Sequence, residues 1–73
     1  MENEILNVIN EIRKNKGLDP IFEINYQSKL RNDLGLSSFD LAEMTVIIED
    51  KYGIDIFEDG LVFTIEDVIN KLK

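Results

Sequence analysis

The stretch "DLGLSSFDLAEMTVIIEDKYG", Asp33–Gly53, decides how this chain folds. Ser37 with Asp40 three residues on is a weak variant of the capping box, in which a hydroxyl and a carboxylate exchange hydrogen bonds with the N–H groups that a helix start leaves unpaired. Gly53, after Tyr52, is a C-terminal cap. The spacing predicts a helix that begins at the serines, with Ser38 as its first residue, and stops before Gly53. Placed around an axis at about 100° per residue with Leu41 at zero, Met44, Thr45, Ile48 and Tyr52 fall within about 60° and make a buried stripe. Phe39 and Val46 fall on the far side, beside Glu43 and Asp50. An apolar pair ringed by carboxylates on a solvent face has the composition of a docking surface. Singly exposed apolar residues are also ordinary on any protein surface, so the pattern is open to both readings.

Towards the N-terminus, Ile5, Val8, Ile9 and Ile12 recur at helical spacing, with Glu2 and Glu4 in the first turn and Arg13, Lys14 and Lys16 gathered before Gly17. These charges complement the dipole of a helix running from about residue 2 to 15, with Gly17 as its stop. Gly17 to Leu36 has no sustained periodicity and contains the only proline, Pro20. Its apolar residues Ile21, Phe22, Ile24, Tyr26, Leu30 and Leu34 are expected to anchor a long connection on the core, with a short helical turn near Lys29 to Asn32. Beyond Gly53, "IDIFEDGL" has room for one short helical turn around Phe57 to Leu61. In "TIEDVINKLK", Thr64 caps a last helix with Ile65, Val68, Ile69 and Leu72 inward. A strand competes for "LVFTI", but an isolated strand has nothing to pair with. The expected fold is all-α: a small four-helix bundle, three longer helices and one short, with a long loop between the first two, folded as one domain over residues 1–73.

Composition narrows the function. At 73 residues and 44% hydrophobic, the chain is near the size at which a single core only just suffices, with little room for a buried cleft. It has no cysteine, hence no disulfide and no thiol of its own, which fits a reducing compartment. No apolar run approaches the roughly 20 residues that span a bilayer, and "MENEIL" is acidic where a secretory signal is basic, so a soluble cytoplasmic protein is expected. The net charge is −7, and Asp33 to Asp67 holds ten carboxylates against Lys51 alone. An acidic half argues against nucleic acid and membrane as partners, because both demand Lys/Arg patches, and favours a basic protein. Acidity of this kind serves solubility equally well.

The serines have little chemistry available to them. A serine hydroxyl attacks only when a neighbouring base takes its proton, and the chain has no histidine. The Ser-His-Asp arrangement is impossible on that ground and a serine enzyme is not expected, and "DIFEDG" lacks the ligand spacing of a calcium loop. Ser38 at a helix start is, however, placed where unpaired N–H groups favour a phosphate, and it suits modification by a second protein that brings the base with it. The plain alternative is that both serines do no more than cap the helix.

"DLGLSSFDLAEM" resembles the modification site of acyl carrier proteins, whose pattern is Asp-Leu-Gly, one variable residue, Asp-Ser-Leu, then a helix of mixed acidic and apolar residues. "IIEDKYGIDI" and "FTIEDVINKL" are similar to that family's helix end and last helix, so the resemblance covers essentially the whole chain. It implies that Ser38, three residues after Gly35, carries a covalent 4′-phosphopantetheine arm derived from coenzyme A. The missing thiol then arrives on the arm, and the acyl chemistry belongs to other enzymes. It further implies a monomeric carrier, not an enzyme, that binds a phosphopantetheinyl transferase and acyl-transferring or acyl-modifying enzymes with basic docking surfaces. Phe39, Asp40, Ala42, Glu43, Val46 and Asp50 stand at the positions of the family's partner-recognition helix. The sequence departs from the pattern at Ser37, where the family most often has Asp, and at Thr45, where an apolar residue is more usual. The alternative from another class is an unmodified acidic helical adaptor that binds one protein through the second helix.

Overall fold

The computed structural model describes residues 2–58 and 60–73. Its helices are α1 (Glu2–Asn15), α2 (Ser38–Tyr52) and α3 (Ile65–Leu72). The bounds follow from local chemistry. Helix α1 has Glu2 and Glu4 in its first turn and Arg13 and Lys14 in its last. It closes with two bonds, Gly17 N–H to Lys14 O and Leu18 N–H to Arg13 O, which together make a Schellman end. Helix α2 starts on a complete capping box between Ser37 and Asp40 and ends at Gly53, whose backbone is left-handed (φ 69°) and whose N–H bonds Glu49 O. Helix α3 repeats the box with Thr64 and Asp67.

One continuous core joins the helices. Ile5, Val8, Ile9 and Ile12 of α1 meet Leu41, Met44 and Ile48 of α2 and Ile65, Val68, Ile69 and Leu72 of α3. Leu30, Leu34, Leu36, Ile56 and Val62 come from the connections. Each fully buried aliphatic side chain stabilises the fold by about 1.5–3 kcal/mol relative to exposure, so truncating Ile9 would remove a large share of a small domain's margin. Thr45, an unusual hydroxyl on the stripe, is satisfied within its own helix by Leu41 O at 2.8 Å, so it brings no unpaired group inward. The Tyr52 hydroxyl is buried without a hydrogen-bond partner among the described residues. Burial first, and the nearby Glu4 carboxylate second, push its pKa up.

The connections depart from expectation in three places. In the long connection Leu30 and Leu34 are buried and Ile21 and Ile24 pack against the core, but Phe22 is 84% exposed and does not anchor it, and Tyr26, 41% exposed, holds through its hydroxyl, which donates to the Glu2 carboxylate, and not through burial. Ile21 is instead held through its backbone: Asn10 Nδ2 donates to Ile21 O, and Ile21 N–H donates to Asn10 Oδ1, both at 2.8 Å. The turn expected near Lys29 to Asn32 is present over 30–34, with the Asp33 carboxylate accepting from Lys29 N–H. The short helix expected around Phe57 to Leu61 is a turn at 56–58, where Glu58 N–H bonds Asp55 O and Gly60 N–H bonds Phe57 O. Asp59, within that stretch, lies outside the described residues. Three helices are therefore present among the described residues.

The "LVFTI" segment does find a partner. Leu30 N–H bonds Phe63 O, Ile65 N–H bonds Ser28 O, and Glu66 N–H bonds Tyr26 O, around an antiparallel bridge between Lys29 and Thr64. The long connection thus supplies the second strand-like edge, and the alternation of exposed Leu61 and Phe63 with buried Val62 and half-buried Thr64 fits this extended pairing.

Candidate functional site

The serines stand at the junction of α2 with the turn Leu34–Leu36. That turn bends because Gly35 takes a left-handed backbone (φ 73°). A Cβ there would lie a tight 3.2 Å from the movable Leu18 Cδ1, so the backbone conformation, more than the space, selects glycine. Ser37 is extended (φ −81°, ψ 173°), and its hydroxyl accepts from Asp40 N–H at 3.1 Å. The Asp40 carboxylate answers by accepting from Ser37 N–H at 2.8 Å. Ser38, the first helical residue, is exposed and takes no part in the cap. The two serines therefore divide the work: one holds the helix start, and the other presents a free hydroxyl beside it.

Two cations from the end of α1 hold the turn in place. Lys16 Nζ donates to Gly35 O at 2.6 Å and to Asp40 Oδ2 at 2.5 Å, and Arg13 Nη1 donates to Leu34 O at 2.5 Å. Arg13 also reaches Asp19 O through Nε and Nη2, so one side chain ties both ends of the long connection to α1. The Lys16 ammonium, followed by the Ser37 N–H, holds the Asp40 carboxyl below its ordinary pKa. Asp40 is buried. Of the residues read as an outward recognition face, Asp40 is thus turned inward to the cap and to Lys16.

The remaining members of that face do lie together on the solvent side of α2. Phe39 is 78% exposed and Val46 67%, Ala42 and Asp50 are exposed, and Glu43 is half-buried. Large aliphatic and aromatic groups left in water between carboxylates are costly to a lone protein, and covering them by a partner recovers that cost. A hollow of about 560 Å³ runs along Val46, Ile47, Glu49, Asp50 and Lys51. Bounded by one helix, it encloses nothing and belongs to the same face.

A second hollow, about 300 Å³, opens beside Ser38. Its walls are Leu41 and Ala42 of α2 with Phe57, Leu61, Val62 and Phe63 of the following connection, and its remaining lining residues are Ser38 and Arg31. The sequence reading missed Arg13, Lys16, Arg31, Leu61 and Phe63 as neighbours of the serine. Only Leu61 and Phe63 carried a local signal, the alternation of a strand with one face left outward. No group of three or more metal-ligating side chains occurs among the described residues, and no helix is long and apolar enough to cross a membrane.

The chain is similar to known proteins over nearly its whole length. Residues 5–72 match the family model described as a phosphopantetheine attachment site. The chain is 32% identical over 74 residues to an acyl carrier protein of Thermobifida fusca (strain YX), covering 99% of this chain and 94% of the relative. It is 30% identical over 64 residues to an acyl carrier protein of Phaeodactylum tricornutum (strain CCAP 1055/1), covering 85% and 83% respectively. No solved structure matches at a significant level.

Proposed function

We propose, because this chain belongs to the acyl carrier protein family, that Ser38 is the residue that bears its 4′-phosphopantetheine arm. Members of the family are carriers and not enzymes, and the arm supplies the thiol on which an acyl group is held as a thioester. The observation that carries the assignment is the division between the two serines. Ser37 spends its hydroxyl on the cap, while Ser38 leaves its own exposed at a helix start, where a phosphodiester meets unpaired N–H groups. Residues 1–73 act as one carrier domain, with the turn at 56–58 standing in for a fourth, short helix.

Partners are a phosphopantetheinyl transferase and the enzymes that load, modify and unload the acyl group, in the manner of fatty acid or polyketide biosynthesis. They dock on Phe39, Ala42, Glu43, Val46 and Asp50: carboxylates steer a basic surface into contact, and the apolar pair forms the buried centre. Asp40 serves this surface from beneath, by fixing the start of α2. The protein works as a cytoplasmic monomer.

Intact mass after coexpression with a broad-specificity phosphopantetheinyl transferase tests the attachment. Peptide mapping should place the added mass on Ser38, Ser38→Ala should abolish it, and Ser37→Ala should retain it. Mass on Ser37 or Ser28 would refute the assignment.

A further inference from the structure

The hollow beside Ser38 has an unusual lining. Among the described residues none that lines it is acidic, although the chain carries net −9 between Asp33 and Asp67 by its ten carboxylates and one lysine. Six of its walls are apolar, and its charged member is the Arg31 guanidinium. Arg31 is exposed, and its guanidinium makes no hydrogen bond or ion pair among the described residues. Arg13 and Lys16, by contrast, are committed to backbone carbonyls and to Asp40. The cap uses the N–H groups of Ser37, Asp40 and Leu41, which leaves those of Ser38 and Phe39 for a ligand.

A phosphodiester on Ser38 Oγ would place a fixed negative charge on a surface that already repels it. These residues fit such a group: an exposed hydroxyl, two N–H donors and a guanidinium whose planar fork matches phosphate oxygens. We propose that Arg31 is a positioning residue that pairs with the phosphodiester at Ser38 and so turns the arm into the hollow lined by Leu61, Val62 and Phe63. The inference rests on attachment at Ser38. It places a cation of the hollow within reach of the anion that attachment creates, and the apolar wall beside the uncharged remainder of the arm. Arg31 is a positioning residue and not a catalytic one, since it acts on where the arm lies and not on acyl transfer.

The test is a comparison of apo and holo forms of the full chain by two-dimensional NMR, with phosphorus NMR on the holo form, for wild type, Arg31→Gln and Arg31→Lys. Intact mass first establishes loading of each. Gaining the arm should shift the amide resonances of Leu61, Val62 and Phe63 in the wild type. Arg31→Gln should lose most of those shifts and move the phosphorus resonance towards that of free phosphopantetheine, while Arg31→Lys retains part of both. High salt should mimic Arg31→Gln. Full loading with the same shifts in Arg31→Gln as in wild type overturns this inference alone, whereas a chain that never acquires the arm on Ser38 overturns the attachment and the inference together. Arg31-dependent shifts that arise only with a carboxylate-ended acyl group, and not on the bare arm, overturn the pairing with phosphodiester in favour of cargo.

Discussion

At the start of α2, Ser37 Oγ accepts from Asp40 N–H and the Asp40 carboxylate accepts from Ser37 N–H; at the start of α3, Thr64 and Asp67 make the same two bonds. Both aspartates sit below their ordinary pKa, Asp40 chiefly through Lys16 and Asp67 chiefly through the Phe63 N–H. The residue after the cap then differs. Ile65 is fully buried, while Ser38 stands in water. The same local device thus ends one connection by burying an aliphatic side chain and ends the other by offering a hydroxyl. The α2 box also recruits the lysine that holds Gly35 O, which fixes the approach to the serine as well as the helix.

If this contrast is right, the first-turn residues should fail in opposite ways. Ile65→Ala should cost roughly 2–5 kcal/mol in chemical denaturation, because it leaves a cavity in the core, with Ser38 still modified while the fold persists. Ser38→Ala should hold its denaturation midpoint and lose all modification. A strongly destabilised Ser38→Ala would show that this hydroxyl is structural after all.

The caps themselves should behave alike. Ser37→Ala and Thr64→Ala should each cost about 1 kcal/mol, read by the same denaturation curves. If Ser37→Ala proves far milder than Thr64→Ala, the Lys16 contacts are holding the start of α2 without its cap.

Acid should separate the two boxes by their partners. A carboxylate whose folded pKa is depressed contributes stability above its unfolded value, near 3.8 for both groups, and that contribution is lost as pH falls through the folded value. Carbon NMR titration of the side chains should therefore find both aspartates ionised below that pH. Lys16→Met should move Asp40 up and leave Asp67 in place. Equal movement of both would mean that general charge, and not the Lys16 contact, depresses Asp40.

The smallest effects should be at the surface. Glu43→Lys and Asp50→Lys should each slow a transferase at low salt by an amount typical of one exposed charge pair, about 0.5 kcal/mol or a factor of two, and less at high salt. Glu66→Lys on α3 should change nothing. A rate as sensitive to Glu66 as to Glu43 would dissolve the distinction between the two helices as docking surfaces.

What could be read from the sequence follows the range of the interactions. The bounds of all three helices were legible, because caps, first-turn charges and periodic isoleucines act within a few residues. The exposed Phe39 and Val46 were legible for the same reason: their neighbours on α2 define the face. Asp40 was legible as a capping residue but not as a buried one, since its partner Lys16 lies 24 residues away. The pairing of Lys29 with Thr64 was likewise hidden, because the partner of "LVFTI" lies far off in a connection that has no strand pattern of its own. Phe22 was misread as an anchor on hydrophobicity alone, where the reciprocal amide bonds of Asn10 had already fixed the segment through its backbone.

That pairing has a consequence for how the protein assembles. Lys29 and Thr64 stand on either side of the whole of α2, so the bridge closes a loop that contains the entire helix. Helices can begin locally and early, but this closure must wait until distant chain segments meet, and it carries the entropy of the loop. The bonds of Leu30, Ile65 and Glu66 are then the late fastening of the fold. Their amides should report, in pulsed hydrogen exchange, the moment when α2 ceases to be a free helix on a tether and becomes a fixed platform.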